Sequence, residues 1–149
     1  MSILDTMRIS MSGLSAQRLR MDVIASNVAN VETTRTPDGG PYHRRQVIFR
    51  AEAGGSNRVG FQQRLAASSN IAGRGVAVVG IHADQPAVRE VHSPAHADAD
   101  ENGNVLFPDI DIVTEMTDMM SASRAYEANV TVLNATKNLA LRALQIGRG

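Results

Sequence analysis

The chain has four histidines, at positions 43, 82, 92 and 96, and no cysteine, which excludes thiol nucleophiles, disulfides and cysteine-based zinc sites together. Its most suggestive constellation is Asp98-Ala99-Asp100-Glu101-Asn102-Gly103, followed by Val105 and by Asp109. These positions match the ligand spacing of a calcium loop, in which alternating oxygens surround the ion and a glycine makes the turn. Asp98, Asp100, Asn102 and Asp109 are therefore the candidate metal ligands. Their context opposes the assignment. Pro94 spoils an entering helix, Pro108 sits just before the last ligand, and Asp109 is shorter than the bidentate glutamate that normally closes such a loop. A solvated acidic turn is the competing reading.

The other candidates have plainer alternatives too. His92 and His96 are four residues apart, as in a helical zinc pair, but Pro94 lies between them and breaks the helix that would align them. His43, Arg44, Arg45 and Arg50 form a basic cluster that could meet phosphate; without interleaved aromatic residues it reads equally as a solvated or intersubunit charge patch. Asn27 and Asn30, three apart on one predicted helix, read either as surface residues or as polar groups that set the register of a bundle. There is no His-Glu-x-x-His, phosphate loop, nucleophile elbow or dinucleotide fingerprint, so no catalytic residue and no cofactor is nominated.

The elements that must carry these residues are more legible. Leu4, Met7, Met11, Leu14, Met21, Ala25 and Val28 recur at steps of three and four, with only Arg18 interrupting. This stripe predicts a helix from about residue 3 to the low thirties, on the order of 50 Å long. Glu32 to Pro41 end it, because Pro37 disfavours helix at Thr36 and Gly39-Gly40 permits turns. Residues 1–36 are accordingly an N-terminal helical unit.

Residues 37–108 alternate Pro and Gly with short β-branched runs, at Gln46 to Arg50, Val59 to Arg64, Gly75 to His82 and Ala87 to His92. They predict a small β-rich middle module with a mobile segment between Ala51 and Gly73. Ser93-Pro94 and the acidic stretch then form a turn before Pro108.

From Asp109 the pattern is helical again. Ile112, Met116, Met119, Ser123, Tyr126, Val130, Leu133, Lys137, Ala140 and Leu144 follow steps of four and three without a slip. A strict 3.5-residue repeat predicts a helix about 55 Å long that coils around partners. Acid in its first turns, Arg142 and Arg148 near its end and Gly147 as its stop all suit the helix dipole. Residues 109–149 form this C-terminal heptad helix. Burying eight apolar side chains contributes on the order of 10–20 kcal/mol, less than the backbone entropy lost on ordering so long a segment. The helix therefore needs the N-terminal stripe as partner, in a coiled-coil-like pair. Val132, Leu139, Ala143 and Ile146 remain on an adjacent face, which calls for further helices from neighbouring subunits. The fold class is thus mainly α, with long N- and C-terminal helices pairing around a β-rich insert.

Bulk composition adds exclusions. Acids and bases balance at 15 each and aromatic residues make up only 3%. Zero net charge argues against a general nucleic-acid binder. Residues 1–75 nevertheless carry five more bases than acids and residues 76–149 five more acids than bases, so copies could attract head to tail. No run of about 18 apolar residues exists to span a membrane. Asp5 interrupts the stretch that a cleaved signal peptide would keep apolar, so any export is expected to proceed without one.

Two sets of motifs carry a family resemblance. Ser12-Gly13-Leu14-Ser15-Ala16-Gln17 and Ile24-Ala25-Ser26-Asn27-Val28-Ala29-Asn30-Val31-Glu32-Thr33-Thr34 resemble the amino-terminal motif of the axial proteins of the bacterial flagellum. Ser123-Arg124-Ala125-Tyr126-Glu127-Ala128-Asn129-Val130 resembles their carboxy-terminal one. The short length, Thr36-Pro37-Asp38-Gly39-Gly40-Pro41-Tyr42 and the acidic turn are most similar to the proximal members of the basal-body rod family. The resemblance implies a structural, non-catalytic subunit, exported unfolded through the flagellar type III apparatus and assembled in the periplasm. It further implies a helical tubular axle that transmits motor torque to the hook. The implied partners are other rod proteins, the membrane-ring base and the export gate, in homo- and hetero-oligomeric contacts, with no nucleic acid and no cofactor. The expected assembly residues are Leu4, Met7, Met11, Leu14, Met21, Asn27, Val28 and Asn30 on the first helix. On the last they are Ile112, Met116, Met119, Tyr126, Val130, Leu133 and Leu144.

Overall fold

A computed structural model describes residues 3–52, 75–84 and 88–147. Helix α1 (Ile3–Ala29) is followed by strands β1 (Arg45–Ala51), β2 (Val76–Ala83), β3 (Val88–His92) and β4 (Asn104–Pro108), and the chain closes with helix α2 (Ile112–Ile146). The expected strand over Val59 to Arg64 and most of the segment expected to be mobile lie outside the described residues.

α1 stops a few residues short of the expected limit. The Ser26 carbonyl accepts both the main-chain and the side-chain amide of Asn30, at 3.1 and 2.9 Å, and the chain leaves the helix through tighter three-residue bonds, Val31 N–H to the Val28 carbonyl and Thr33 N–H to the Asn30 carbonyl. The chain then reverses through Thr36–Gly40, where Gly39 and Gly40 adopt φ of 86° and 75°. α2 begins at an N-cap, Asp111, whose carboxylate accepts from the amides of Val113 and Thr114. The Thr114 hydroxyl, the Val113 amide and the Thr114 amide hold the Asp111 carboxyl below its ordinary value of 3.8.

The helices run antiparallel: Asn27 meets Glu115, Arg20 meets Asp118 and Gly13 meets Asn129, one number rising as the other falls. The register of their packing differs from the sequence expectation. On α1 the buried residues are Ser10, Ala16, Val23, Ile24 and Asn27, with Gly13 against Asn129. On α2 they are Glu115, Ala122 and Thr136. The predicted stripes sit one residue further round each helix. Met119, Tyr126 and Leu133 are half-buried in the seam as expected, but Glu115, Ala122, Asn129 and Thr136 take the places that Met116, Ser123, Val130 and Lys137 were expected to fill.

Among the described residues the small β module between the helices consists of two antiparallel ribbons, β1–β2 and β3–β4. β1 pairs from Arg45↔Ala83 to Ala51↔Val76 with a bulge after Ile48. The ribbon lies on α1, tied near its far end by Ser12, whose hydroxyl accepts from Val76 N–H at 3.0 Å and donates to the Ile9 carbonyl at 2.7 Å. Gly75 makes that approach possible, since it holds φ 97° and a Cβ there would lie 2.5 Å from Ser12 Oγ. β4 was not anticipated; the stretch before Pro108 forms a strand pairing Val105 with Val91, and Val105 is buried. An acidic turn followed by Val-Leu-Phe is a hairpin signal that the proline obscured.

Candidate functional site

The most heavily bonded polar cluster joins both helices to the start of β1. Asn27 is 1% exposed. Its amide nitrogen donates to the Arg45 carbonyl at 2.8 Å and to Glu115 Oε2 at 2.9 Å. Its oxygen accepts the Arg45 amide at 3.0 Å and the Tyr42 hydroxyl at 3.1 Å. All four side-chain hydrogen-bonding capacities are filled, and Asn27 pairs with Arg45 as a neighbouring strand would. Glu115, also 1% exposed, completes the cluster. Arg44 grips its Oε1 through Nε at 2.7 Å and Nη2 at 2.6 Å. Arg20 and Asp118 make a further pair at 3.1 Å beside it, and the Arg45 guanidinium stacks over Tyr42 at 5.4 Å.

This corrects the sequence reading of the basic cluster. Arg44 is a buried-end ion-pair partner and Arg45 a backbone and stacking partner, so neither stands as part of a free phosphate-binding patch. A cavity of about 410 Å3 opens beside the cluster, between Val23 and Ile24 of α1, Val47 and Phe49 of β1, and Asp118 of α2. Of the charged residues lining it, Arg20, Arg44, Glu115 and Asp118 are paired with one another and Arg45 lies over the Tyr42 ring.

The acidic turn is internally bonded. Asp98 accepts from the Thr34 hydroxyl at 2.7 Å and lies 3.9 Å from Arg35, while Asp100 Oδ1 accepts the amides of Asn102 and Asn104. Gly103 supplies the positive φ of 77° that this turn needs. Among the described residues no group of three or more His, Asp or Glu is placed to hold a metal ion. His92 binds Asn104 Oδ1 and His96 accepts the Asp98 amide, so the two rings serve different neighbours.

The expected assembly residues divide. Asn27 and Asn30 are committed to bonds within the chain. Leu4 and Met11 on α1 and Ile112, Met116 and Leu144 on α2 are exposed, Met11 and Met116 by 61% and 58%. Met7, Leu14, Met21, Val28 and Val130 are half-buried. In an antiparallel pair of right-handed helices, one residue further along each sequence turns both helices toward the same side. The two apolar stripes therefore share one face of the pair. Ser12, one residue back, ties the β1–β2 ribbon to the opposite flank. Val113, Met120, Val132, Leu139 and Ile146 add to the exposed apolar surface of α2.

Sequence reasoning missed Glu115 and the role of Tyr42. A signal for the seam did exist: Glu115, Ala122, Asn129 and Thr136 recur every seven residues, each immediately before a member of the stripe that was singled out. The large apolar residues mark the adjacent column, one residue further along.

Comparison with known proteins points in one direction. Residues 7–35 match the family described as "Flagella basal body rod protein", and residues 101–146 match "Flagellar basal body rod FlgEFG protein C-terminal". Curated proteins named flagellar basal-body rod protein FlgC are similar over their whole length. That of Borreliella burgdorferi is 43% identical, covering 100% of both chains. Those of Bacillus subtilis and Salmonella typhimurium are 38% and 37% identical, each covering 99% of this chain and 100% of the relative. No helix among the described residues is long and apolar enough to cross a membrane.

Proposed function

Because the chain belongs to the family of flagellar basal-body rod proteins typified by FlgC, we propose that its two terminal helices are the assembly elements of a structural rod subunit, and that their shared apolar face is the surface neighbouring subunits cover. In this reading residues 1–36 and 109–149 build the wall of a helical tubular axle and residues 37–108 decorate it. The neighbours are further copies, other rod proteins, and at the base the membrane ring and export gate. Torque from the motor passes along the packed helices to the hook, and no residue is assigned to catalysis.

The observation that carries this reading is the orientation of the pair. A lone two-helix unit gains most by facing its largest apolar side chains inward. Here Leu4, Met11, Met116 and Leu144 face outward, while Ser10, Ala16, Asn27, Glu115, Ala122 and Thr136 take the most deeply buried places and Met119, Tyr126 and Leu133 are only half-buried. The charge asymmetry between the two halves supports head-to-tail contacts that do not close, the geometry that generates a filament.

Complementation of a deletion strain tests it. Met11→Asp and Met116→Asp each place a carboxylate on a side chain already more than half exposed, so the effect should fall on assembly rather than on the subunit's own fold. Each variant is expected to be produced at normal levels, to be missing from purified basal bodies, and to leave cells non-motile. Normal swarming with either variant present in the rod would overturn the reading.

A further inference from the structure

The terminal helices carry two alternative surfaces for pairing with each other, one residue apart. Stripe against stripe, the pair would bury Leu4, Met11, Met116 and Leu144, and the hydrophobic effect by itself favours that arrangement. The observed seam instead sets Ser10, Gly13, Ala16 and Asn27 against Glu115, Ala122, Asn129 and Thr136. Something other than apolar area selects it.

The cluster around Asn27 can make that selection. Its bonds to Arg45, Tyr42 and Glu115, and the two-pronged grip of Arg44 on Glu115, form only when both helices present these residues to the start of β1. A rotation of about 100° on each helix, one residue's worth, carries Asn27 and Glu115 out of the seam and strands the groups they satisfy. We infer that Asn27, Arg44 and Glu115 are positioning residues, a rotational key that holds the polar surfaces of the helices together and thereby keeps Met11, Met116 and Leu144 outward. Buried polar groups at heptad positions can specify geometry at a cost in stability, and here the specified quantity is which face of each helix is hidden. That the exposed stripes meet neighbouring subunits rests on the assembly reading above; the rotational preference itself does not.

The absence of cysteine makes the test clean. Gly13→Cys with Asn129→Cys reports the observed seam, because a Cβ at position 13 lies 3.2 Å from the Asn129 side chain. Leu14→Cys with Val130→Cys sits one step round each helix and closes only when the stripes face each other. In the purified full-length chain under mild oxidation, the first pair is expected to form its disulfide and the second to stay reduced. In an Asn27→Leu/Glu115→Leu background the first disulfide should be lost and the second gained, with helix content by circular dichroism retained. Glu115→Gln keeps one acceptor oxygen, for Arg44, but sets an amide NH2 against the Asn27 amide, so it should retain the first disulfide in smaller yield than the intact cluster does.

Three outcomes overturn the inference: closure of the second pair with the cluster intact, an unchanged pattern in the Leu background, or loss of both disulfides together with helix content, which would make the cluster merely structural. Normal motility of the Met11 and Met116 variants would reject the assembly reading while leaving the disulfide result standing.

Discussion

Asn27 shows how much depends on a single neutral side chain. It satisfies the main chain of Arg45 on both sides, holds the Tyr42 hydroxyl and reaches the buried carboxylate of Glu115. Asn27→Ala leaves each of those groups without its partner in a place water reaches poorly, and an unmet buried polar group costs about 1–3 kcal/mol. Chemical denaturation should show a loss of about 3 kcal/mol, and a loss below about 0.5 kcal/mol would mean that water replaces the amide. From sequence, Asn27 was legible as a possible register-setting group, because an asparagine among helical apolar positions has few other uses. Arg44 was not legible in its role, because nothing local distinguishes a cation paired with a carboxylate seventy residues away from one that faces solvent.

At the scale of elements, the β1–β2 ribbon is pinned to α1 near both ends, by Asn27 at Arg45 and by Ser12 at Val76. Gly75 is the hinge of the second attachment. Gly75→Ala combines an unfavourable φ with a Cβ 2.5 Å from Ser12 Oγ, and the serine must give way. The expected result is a destabilisation of about 1–3 kcal/mol together with faster amide exchange at Val76, while the Arg45 end remains protected. Equal protection at Val76 in the variant would show that the serine contact is dispensable. The existence and type of both helices and of β1, β2 and β3 were readable from periodicity and from β-branched runs. β4 was not, because its pairing with β3 depends on a turn closed by Asp100 and Gly103 rather than on a run long enough to stand out.

For the whole molecule, burial is concentrated toward one end of the helix pair. α1 has no buried residue before Ser10 among those described, and α2 none after Thr136, whereas Val23, Ile24, Asn27, Glu115 and Ala122 cluster at the end that also meets β1. Local stability follows buried contacts, so hydrogen exchange of the isolated chain should be slowest over Val23–Asn27 and Glu115–Ala122 and should quicken toward Ile3 and Ile146. Uniform protection along both helices would contradict this gradient. If neighbours cover the exposed face, as proposed above, the amides toward Ile3 and Ile146 should become protected on assembly.

Sequence alone determined that two long helices flank a β-containing middle, that large apolar residues recur along each helix at 3.5-residue spacing, and that motifs at both ends resemble the flagellar rod family. These properties are written locally, in spacing, turn residues and side-chain type, and need no knowledge of what lies across the fold. Only the tertiary structure decided which of two surfaces one residue apart each helix turns inward. That choice depends on the joint arrangement of Asn27, Tyr42, Arg44, Arg45 and Glu115 from three segments, and on Gly13 allowing Asn129 close approach. Periodicity identifies a face by its apolar character, whereas the fold buries most deeply the face whose polar groups can satisfy one another.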